Sequence, residues 1–199
     1  MARTIRLILW VLVALALGLL AYLSLRPAGT TSDTNESEAA LTLGGPFTLA
    51  GSDGTLFSSA RLNGRPYAIF FGFTHCPDVC PTTLARMVRL RNQLGKGDQA
   101  FDIVFVSVDP ERDGPAEVGA YTKLFGSPVI GLTGSPSQIG QVKKQFGIFS
   151  EKVPDGAGSY SIDHTATVLL FGRNGKFDST IAHEEQDGPA LAKLKRIIA

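Results

Sequence analysis

Two cysteines and three histidines give this 199-residue chain most of its chemical reach. Cys76 and Cys80 stand in Phe73-Thr74-His75-Cys76-Pro77-Asp78-Val79-Cys80-Pro81, a C-x3-C pair. A bridge across so short a loop would constrain the unfolded chain little, so the pair is a poor staple and points towards chemistry. Thiolates are soft metal donors and the nucleophiles of disulfide exchange. The pair follows an apolar run and opens a helical stretch. At a helix N-terminus, the dipole and the free N–H groups stabilise a thiolate at Cys76. Positions four apart share one helical face, so the two sulfurs can converge on one metal ion, or oxidise to each other with some backbone adjustment. Pro81 suits a first helical turn but not an interior one, which predicts an irregular 76–80 segment.

Two thiolates leave a metal site incomplete. His164 is the candidate third donor, in Ser161-Ile162-Asp163-His164-Thr165-Ala166-Thr167, directly before a predicted strand. Two sulfurs favour Cu(I), and an added imidazole also accommodates Cu(II). Zinc is the competing metal, since two cysteines, one histidine and a water form a known zinc set. His75 and His183 read as polar surface residues. Asp78 and Asp163 are weaker candidates, as outer carboxylates or, for Asp78, as a charge at a helix start. Asp109-Pro110 reads as a turn and cap without chemistry. Met87 and the phenylalanines near the cysteines read as core.

The elements that must position these residues follow from pattern. Phe47-Thr48-Leu49 and Thr55-Leu56-Phe57 flank Gly51-Ser52-Asp53-Gly54 as a hairpin. Residues 67–73, YAIFFGF, and 103–108, IVFVSV, are short apolar runs that predict buried strands. Between them, 81–94 reads as a helix with Leu84, Met87, Val88 and Arg91 on one side. A helix over 115–125, a strand over 129–132 and a helix capped by Ser135 and running to Phe146 follow. Residues 167–171 and 176–181 form a hairpin around Arg173-Asn174-Gly175, and Asp187 caps a last helix. A β-α-β unit followed by β-β-α is the thioredoxin arrangement, with the cysteines directly after its first central strand. In that fold His164 falls across from them. The fold class is therefore α/β, thioredoxin-like, with an N-terminal β-hairpin extension over residues 43–199.

Ahead of this domain, residues 7–25 contain no charge, Pro, Asn or Asp. Nineteen residues at helical rise reach roughly 28 Å, about the thickness of a bilayer core. Arg3 and Arg6 precede the run, so the sequence predicts a single transmembrane helix with residues 1–6 in the cytoplasm and the rest outside. A cleaved signal peptide is the alternative, but its apolar region is usually shorter. Residues 26–42 are small, polar and acidic, and read as a flexible linker. The expected location is the inner membrane, with the C-terminal domain in the periplasm. Three of the 19 basic residues lie in the first 26 positions and all 18 acids follow them. The remainder is slightly acidic, which argues against nucleic-acid binding.

Taken together, FTHCPDVCP, SVDPERD at 107–113 and DHTATVLL at 163–170 resemble the three signature blocks of the Sco (SenC-type) family. Gly45-Pro46-Phe47-Thr48-Leu49 is similar to that family's entry hairpin. The resemblance covers nearly all of residues 43–198. It implies one copper ion, Cu(I) or Cu(II), held by Cys76, Cys80 and His164. It also implies a part in assembling the dinuclear copper centre of cytochrome c oxidase, with the apo copper domain of subunit II as partner. Other periplasmic copper chaperones or thioredoxin-like reductants are further expected partners. The work is copper delivery, reduction of the subunit's thiols by the redox pair Cys76 and Cys80, or both. A thiol–disulfide oxidoreductase acting on another exported protein is the alternative, and needs His164 less. A peroxidase is disfavoured, because peroxidatic and resolving cysteines usually stand farther apart. A redox or copper sensor stays open.

Overall fold

The computed structural model describes residues 2–25, 43–156 and 158–199, with side chains in 2–25 described only in part. It divides into two compact units, Met1–Leu41 and Thr42–Ala199.

In the first unit, helix α1 spans Ala2–Leu25. Among the described residues, no helix is long and apolar enough to cross a membrane. The expected transmembrane helix is corrected accordingly to a helical N-terminal segment, and the single-pass inner-membrane location expected from it falls with it. The expected linker, 26–42, lies outside the described residues.

The second unit is built on one seven-stranded sheet. Strands β1 (Thr48–Gly51) and β2 (Leu56–Ser58) form the entry hairpin, with Leu49 opposite Phe57. Asp53 closes its turn by accepting from the Thr55 N–H at 2.9 Å and the Thr55 hydroxyl at 2.8 Å. Strand β3 (Tyr67–Gly72) is buried at every position. Helix α2 (Val79–Gln93) returns the chain to β4 (Asp102–Ser107), which pairs parallel to β3. Helix α3 (Pro115–Lys123) leads to β5 (Ile130–Thr133), parallel to β4. Helix α4 (Pro136–Gln145) opens on a capping box between Ser135 and Gln138, as the Ser-Pro start predicts. Strands β6 (Ser150–Pro154) and β7 (Tyr160–His164) pair with each other in a separate two-stranded sheet. Strand β8 (Val168–Phe171) then pairs antiparallel to β3, and β9 (Phe177–Ile181) to β8. Helix α5 (Asp187–Ile198) closes the domain. The order across the large sheet is β2-β1-β5-β4-β3-β8-β9, so β3 is interior and its carboxyl end is where the cysteine segment emerges.

The core is aromatic. Phe70, Phe71, Phe101, Phe105, Phe146 and Phe171 are all nearly fully buried. Phe146 packs edge-on to Phe171 at 5.6 Å and is tilted against Phe71 at 5.4 Å, which ties α4 to β3 and β8. Edge-to-face pairs of this kind add to area burial. Arg91 lies on the apolar face of α2, where helical spacing puts it. It is buried, donating to the carbonyls of Phe101 (3.3 Å) and Pro128 (2.9 Å) and to the Ser127 hydroxyl (2.7 Å).

One local expectation is corrected and one element is added. Gln186, not Asp187, occupies the cap position of α5. The Asp187 carboxylate is taken instead by Arg86 (3.0 Å) and Arg89 (2.6 Å) of α2. The β6–β7 hairpin is not anticipated by pattern. It buries only Ile162 fully; SEKVP lacks the apolar alternation that marks a half-buried strand, and in YSIDH the alternation is limited to Tyr160 and Ile162.

Candidate metal centre

Between β3 and α2 the chain turns tightly, with the Cys76 N–H donating to the Phe73 carbonyl at 3.3 Å. Helix α2 begins only at Val79, so Pro81 falls in its first turn, where no intrahelical N–H is needed. Cys76 therefore stands outside the helix and Cys80 inside its first turn. The shared helical face expected from the spacing is replaced by a different device: the Cys80 backbone N–H points at Cys76 Sγ, 3.5 Å away. An orphan helix N-terminal donor thus faces a sulfur that can carry negative charge.

Both cysteines are free thiols. Cys80 is fully buried, and Cys76 is partly exposed. Hydrogen bonding from the Cys80 thiol first, and from the backbone N–H groups at the start of α2, holds Cys76 far below an ordinary thiol value. The same proton, shared with the Cys76 thiolate, and burial push Cys80 the other way. When the pair carries a single proton, it sits on Cys80 and the charge on the partly exposed Cys76 sulfur.

His164, the last residue of β7, reaches the pair from another part of the chain. Its Nε2 is 3.4 Å from Cys80 Sγ, and its Nδ1 is 3.1 Å from the Thr165 carbonyl. A carbonyl only accepts, so in the neutral ring Nδ1 carries the hydrogen and Nε2 offers its lone pair to the sulfurs. The ring is held edge-on by Phe70 at 5.9 Å and Phe73 at 5.8 Å. The donor atoms of Cys76, Cys80 and His164 all lie within 4.8 Å of one another. They are the group among the described residues that could hold a metal ion. Two thiolates and one imidazole, partly screened from water, fit a soft ion such as copper. The phenylalanines that sequence assigns to the core are core, and two of them also orient the histidine.

The other candidates fall outside the cluster. The His75 side chain is 54% exposed, with Nδ1 facing Thr74 Oγ1 (3.1 Å) and the Asp113 carboxylate (3.5 Å). His183 pairs through Nδ1 with Thr83 Oγ1 at 3.1 Å. Asp78 occupies the cap position of α2 without a side-chain cap bond, and Asp163 lies exposed opposite Glu151.

Two buried carboxylates were missed by sequence reasoning. Asp113 accepts from the Thr74 N–H (2.8 Å), the Thr74 hydroxyl (2.6 Å) and the Ser107 hydroxyl (2.6 Å). It thereby fixes the segment that leads into Cys76. Asp109 accepts from the Tyr160 hydroxyl at 2.8 Å and pairs with Arg112. Both are fully buried. The available signal was the pair of acids flanking Pro110 and Arg112 at the end of a buried strand. A turn and a network base look alike in such a stretch.

With this geometry in hand, relatives are informative. A family model described as SCO1/SenC matches residues 35–199. An SCO2-like protein of Rickettsia conorii is 39% identical over 137 residues, 68% of this chain and 67% of the relative. The copper-bound structure of Bradyrhizobium japonicum ScoI is 40% identical, covers 78% of this chain and 99% of that one, and superposes with a TM-score of 0.70. BsSco, described as having a disulfide switch and as a member of the Sco family of cytochrome c oxidase assembly proteins, is 26% identical. It covers 79% of this chain and 94% of its own, with a TM-score of 0.60. The chain belongs to the SCO1/SenC family.

Proposed function

We propose that this protein binds one copper ion through Cys76, Cys80 and His164 and passes it on during assembly of the dinuclear copper centre of cytochrome c oxidase. The receiver would be the apo copper domain of subunit II. The observation that carries this reading is the convergence of two sulfurs and a lone-pair-bearing Nε2 within 4.8 Å. The copper held by a 40% identical structural relative supports the choice of metal. Copper is cargo in this scheme. Cys80 and His164 form the recessed side of the site and Cys76 the side open to a partner. A receiving thiolate can therefore replace Cys76 first, and the ion moves by stepwise ligand exchange.

The asymmetry of the pair favours a second reading that can coexist with the first. The Cys76 thiolate, on the partly exposed side, attacks a disulfide of the partner, forming a mixed disulfide and releasing one partner thiolate. Cys80 then gives up its proton and attacks Cys76 Sγ. The second partner thiol leaves, and this chain ends as the Cys76–Cys80 disulfide with two electrons passed on. His164 has no required part in these steps.

Titration of the reduced, anaerobic protein with Cu(I) against a competing chelator separates the two. One tight equivalent, lost in Cys76→Ser and Cys80→Ser and greatly weakened in His164→Ala, is the expected result. Binding indifferent to His164 would sink the three-ligand site and leave the oxidoreductase reading.

A further inference from the structure

Strand β7 carries His164 on an arm that has little apolar hold on the body. Tyr160, Ile162 and His164 share the face turned inward, since alternate residues of a strand point the same way. Ile162 is buried, Ser161 and Asp163 on the other face are exposed, and β6 is exposed over most of its length. Beside the edge contacts of the His164 ring with Phe70 and Phe73, one buried isoleucine is a weak anchor for a strand that must hold a ligand atom in place.

The second hold is polar and lies at Tyr160, roughly 13 Å along the strand from His164 at ordinary strand rise. The Tyr160 hydroxyl donates to Asp109 Oδ1 at 2.8 Å. The Arg112 guanidinium lies 3.7 Å from the centre of the Tyr160 ring, and its Nη1 donates to the Tyr160 carbonyl at 2.9 Å. Arg112 is itself tied to Asp109 through Nε. Asp109 is locked in turn, its N–H donating to the Ser107 hydroxyl, which donates to Asp113. Asp113 holds Thr74, two residues before Cys76. One chain of hydrogen bonds thus joins the arm that bears the histidine to the segment that bears the cysteines. Cation–ring contact and charge-assisted bonds to a buried carboxylate are among the stronger polar contacts.

We propose that Tyr160, clamped by Arg112 and Asp109, is the positioning residue that holds the β6–β7 arm in register and so sets His164 over the two sulfurs. This rests on the three-residue metal site proposed above. Tyr160 touches no metal donor. It acts through the strand, so its loss should free His164 while leaving the cysteines as they are.

Two readouts on the purified full chain test this. In the metal-free protein, Tyr160→Ala should speed amide hydrogen exchange over residues 161–165 about ten-fold with β3 unchanged, and Tyr160→Phe, which keeps the ring under Arg112, should have a smaller effect. In Cu(I) competition, Tyr160→Ala should weaken binding about ten-fold, the lower end of what an outer partner of a ligand contributes. In a His164→Ala background the same substitution should change binding less than about two-fold, because the ligand it positions is gone. Unchanged exchange in the arm overturns the proposal, as does equal weakening in both backgrounds. If the unaltered chain binds Cu(I) no better than His164→Ala, the metal reading fails instead, and the exchange measurement still decides whether Tyr160 holds the arm.

Discussion

The two halves of the candidate metal centre are built by different means. Cys76 and Cys80 stand at the end of an interior strand, between a fully buried β3 and the first turn of α2, and their surroundings are set by packing. His164 comes from an arm of two strands that buries one side chain completely and is otherwise held by hydrogen bonds and ring contacts. The comparison teaches that the cysteine side should resist perturbation until its buried supports are cut, whereas the histidine side should yield to single polar changes. A site with one firm half and one adjustable half suits reversible handling of an ion.

The hardest test of the firm half is Asp113→Ala. That carboxylate is fully buried and accepts from three donors of Thr74 and Ser107; the substitution takes the acceptor from the Thr74 N–H and the buried Ser107 hydroxyl, while the Thr74 hydroxyl keeps His75 Nδ1 at 3.1 Å. Each buried unsatisfied donor costs about 1–3 kcal/mol, so a loss of about 3 kcal/mol or more in denaturant unfolding of the metal-free protein is expected. Asp113→Asn, which keeps acceptor oxygen, should lose less. A loss under about 1 kcal/mol in the alanine variant would mean the cysteine segment is held by packing alone.

Next in size is Gly72→Ala. A Cβ there would lie 2.6 Å from Cys80 Sγ and 3.1 Å from the rings of Phe70 and Phe105. The rings are locked in the core, so the sulfur is the atom that moves. Overpacking of this kind costs about 1–3 kcal/mol. The sharper expectation is that Cu(I) affinity falls by more than stability does, because the displaced atom is a donor. Copper binding that survives intact would show that Cys80 has room to swing.

The pH dependence of reduced, metal-free stability separates the two sulfurs. Cys76 has its folded pKa depressed below that of the unfolded chain. Its contribution grows as pH rises from acid and is fully present once pH exceeds the unfolded thiol value, about 8.5. Cys80 has its folded pKa raised, so above that value the unfolded chain ionises where the folded one does not, and stability falls. A maximum near pH 8.5 in the contribution of the pair is expected, read as the difference from Cys76→Ser/Cys80→Ser. Cys80→Ala alone should move the pH profile of Cys76 alkylation upwards, since the first cause of its low pKa is gone. An unchanged alkylation profile would shift the credit to the backbone N–H groups.

The same division decides what could be read from sequence. The cysteine half was legible because packing leaves a trace: YAIFFGF announces β3, and C-x3-C at its end announces the site. Even there, the spacing suggested a common helical face, while the start of α2 at Val79 puts Cys76 outside and gives it a helix-end N–H instead. His164 was found by its place before β8, not by the arm that holds it. The strand reading SEKVP carries no apolar alternation, YSIDH carries only the short Tyr160–Ile162 alternation, and bonds such as Tyr160 to Asp109, 51 residues apart, leave no local periodicity to detect. The apolar stretch near the N-terminus is the opposite case. Its composition suggested a membrane span, and among the described residues no helix meets that requirement.

The smallest effect expected is that of Lys152→Ala, and it sharpens the comparison by its size. Lys152 also approaches the Tyr160 ring, at 4.5 Å, and pairs with Glu111. On a contact map it resembles Arg112 as a clamp on the arm. The two differ in exposure: the Lys152 and Glu111 side chains are 46% and 62% exposed, whereas Arg112 pairs with a carboxylate that water does not reach. Exposed pairs are screened and entropically costly, and are worth about 0.2–1 kcal/mol. Lys152→Ala should therefore lower unfolding stability by less than about 1 kcal/mol and leave arm exchange and Cu(I) affinity unchanged within about two-fold. A larger effect would move the hold on the arm from the buried Asp109 to its exposed outer edge.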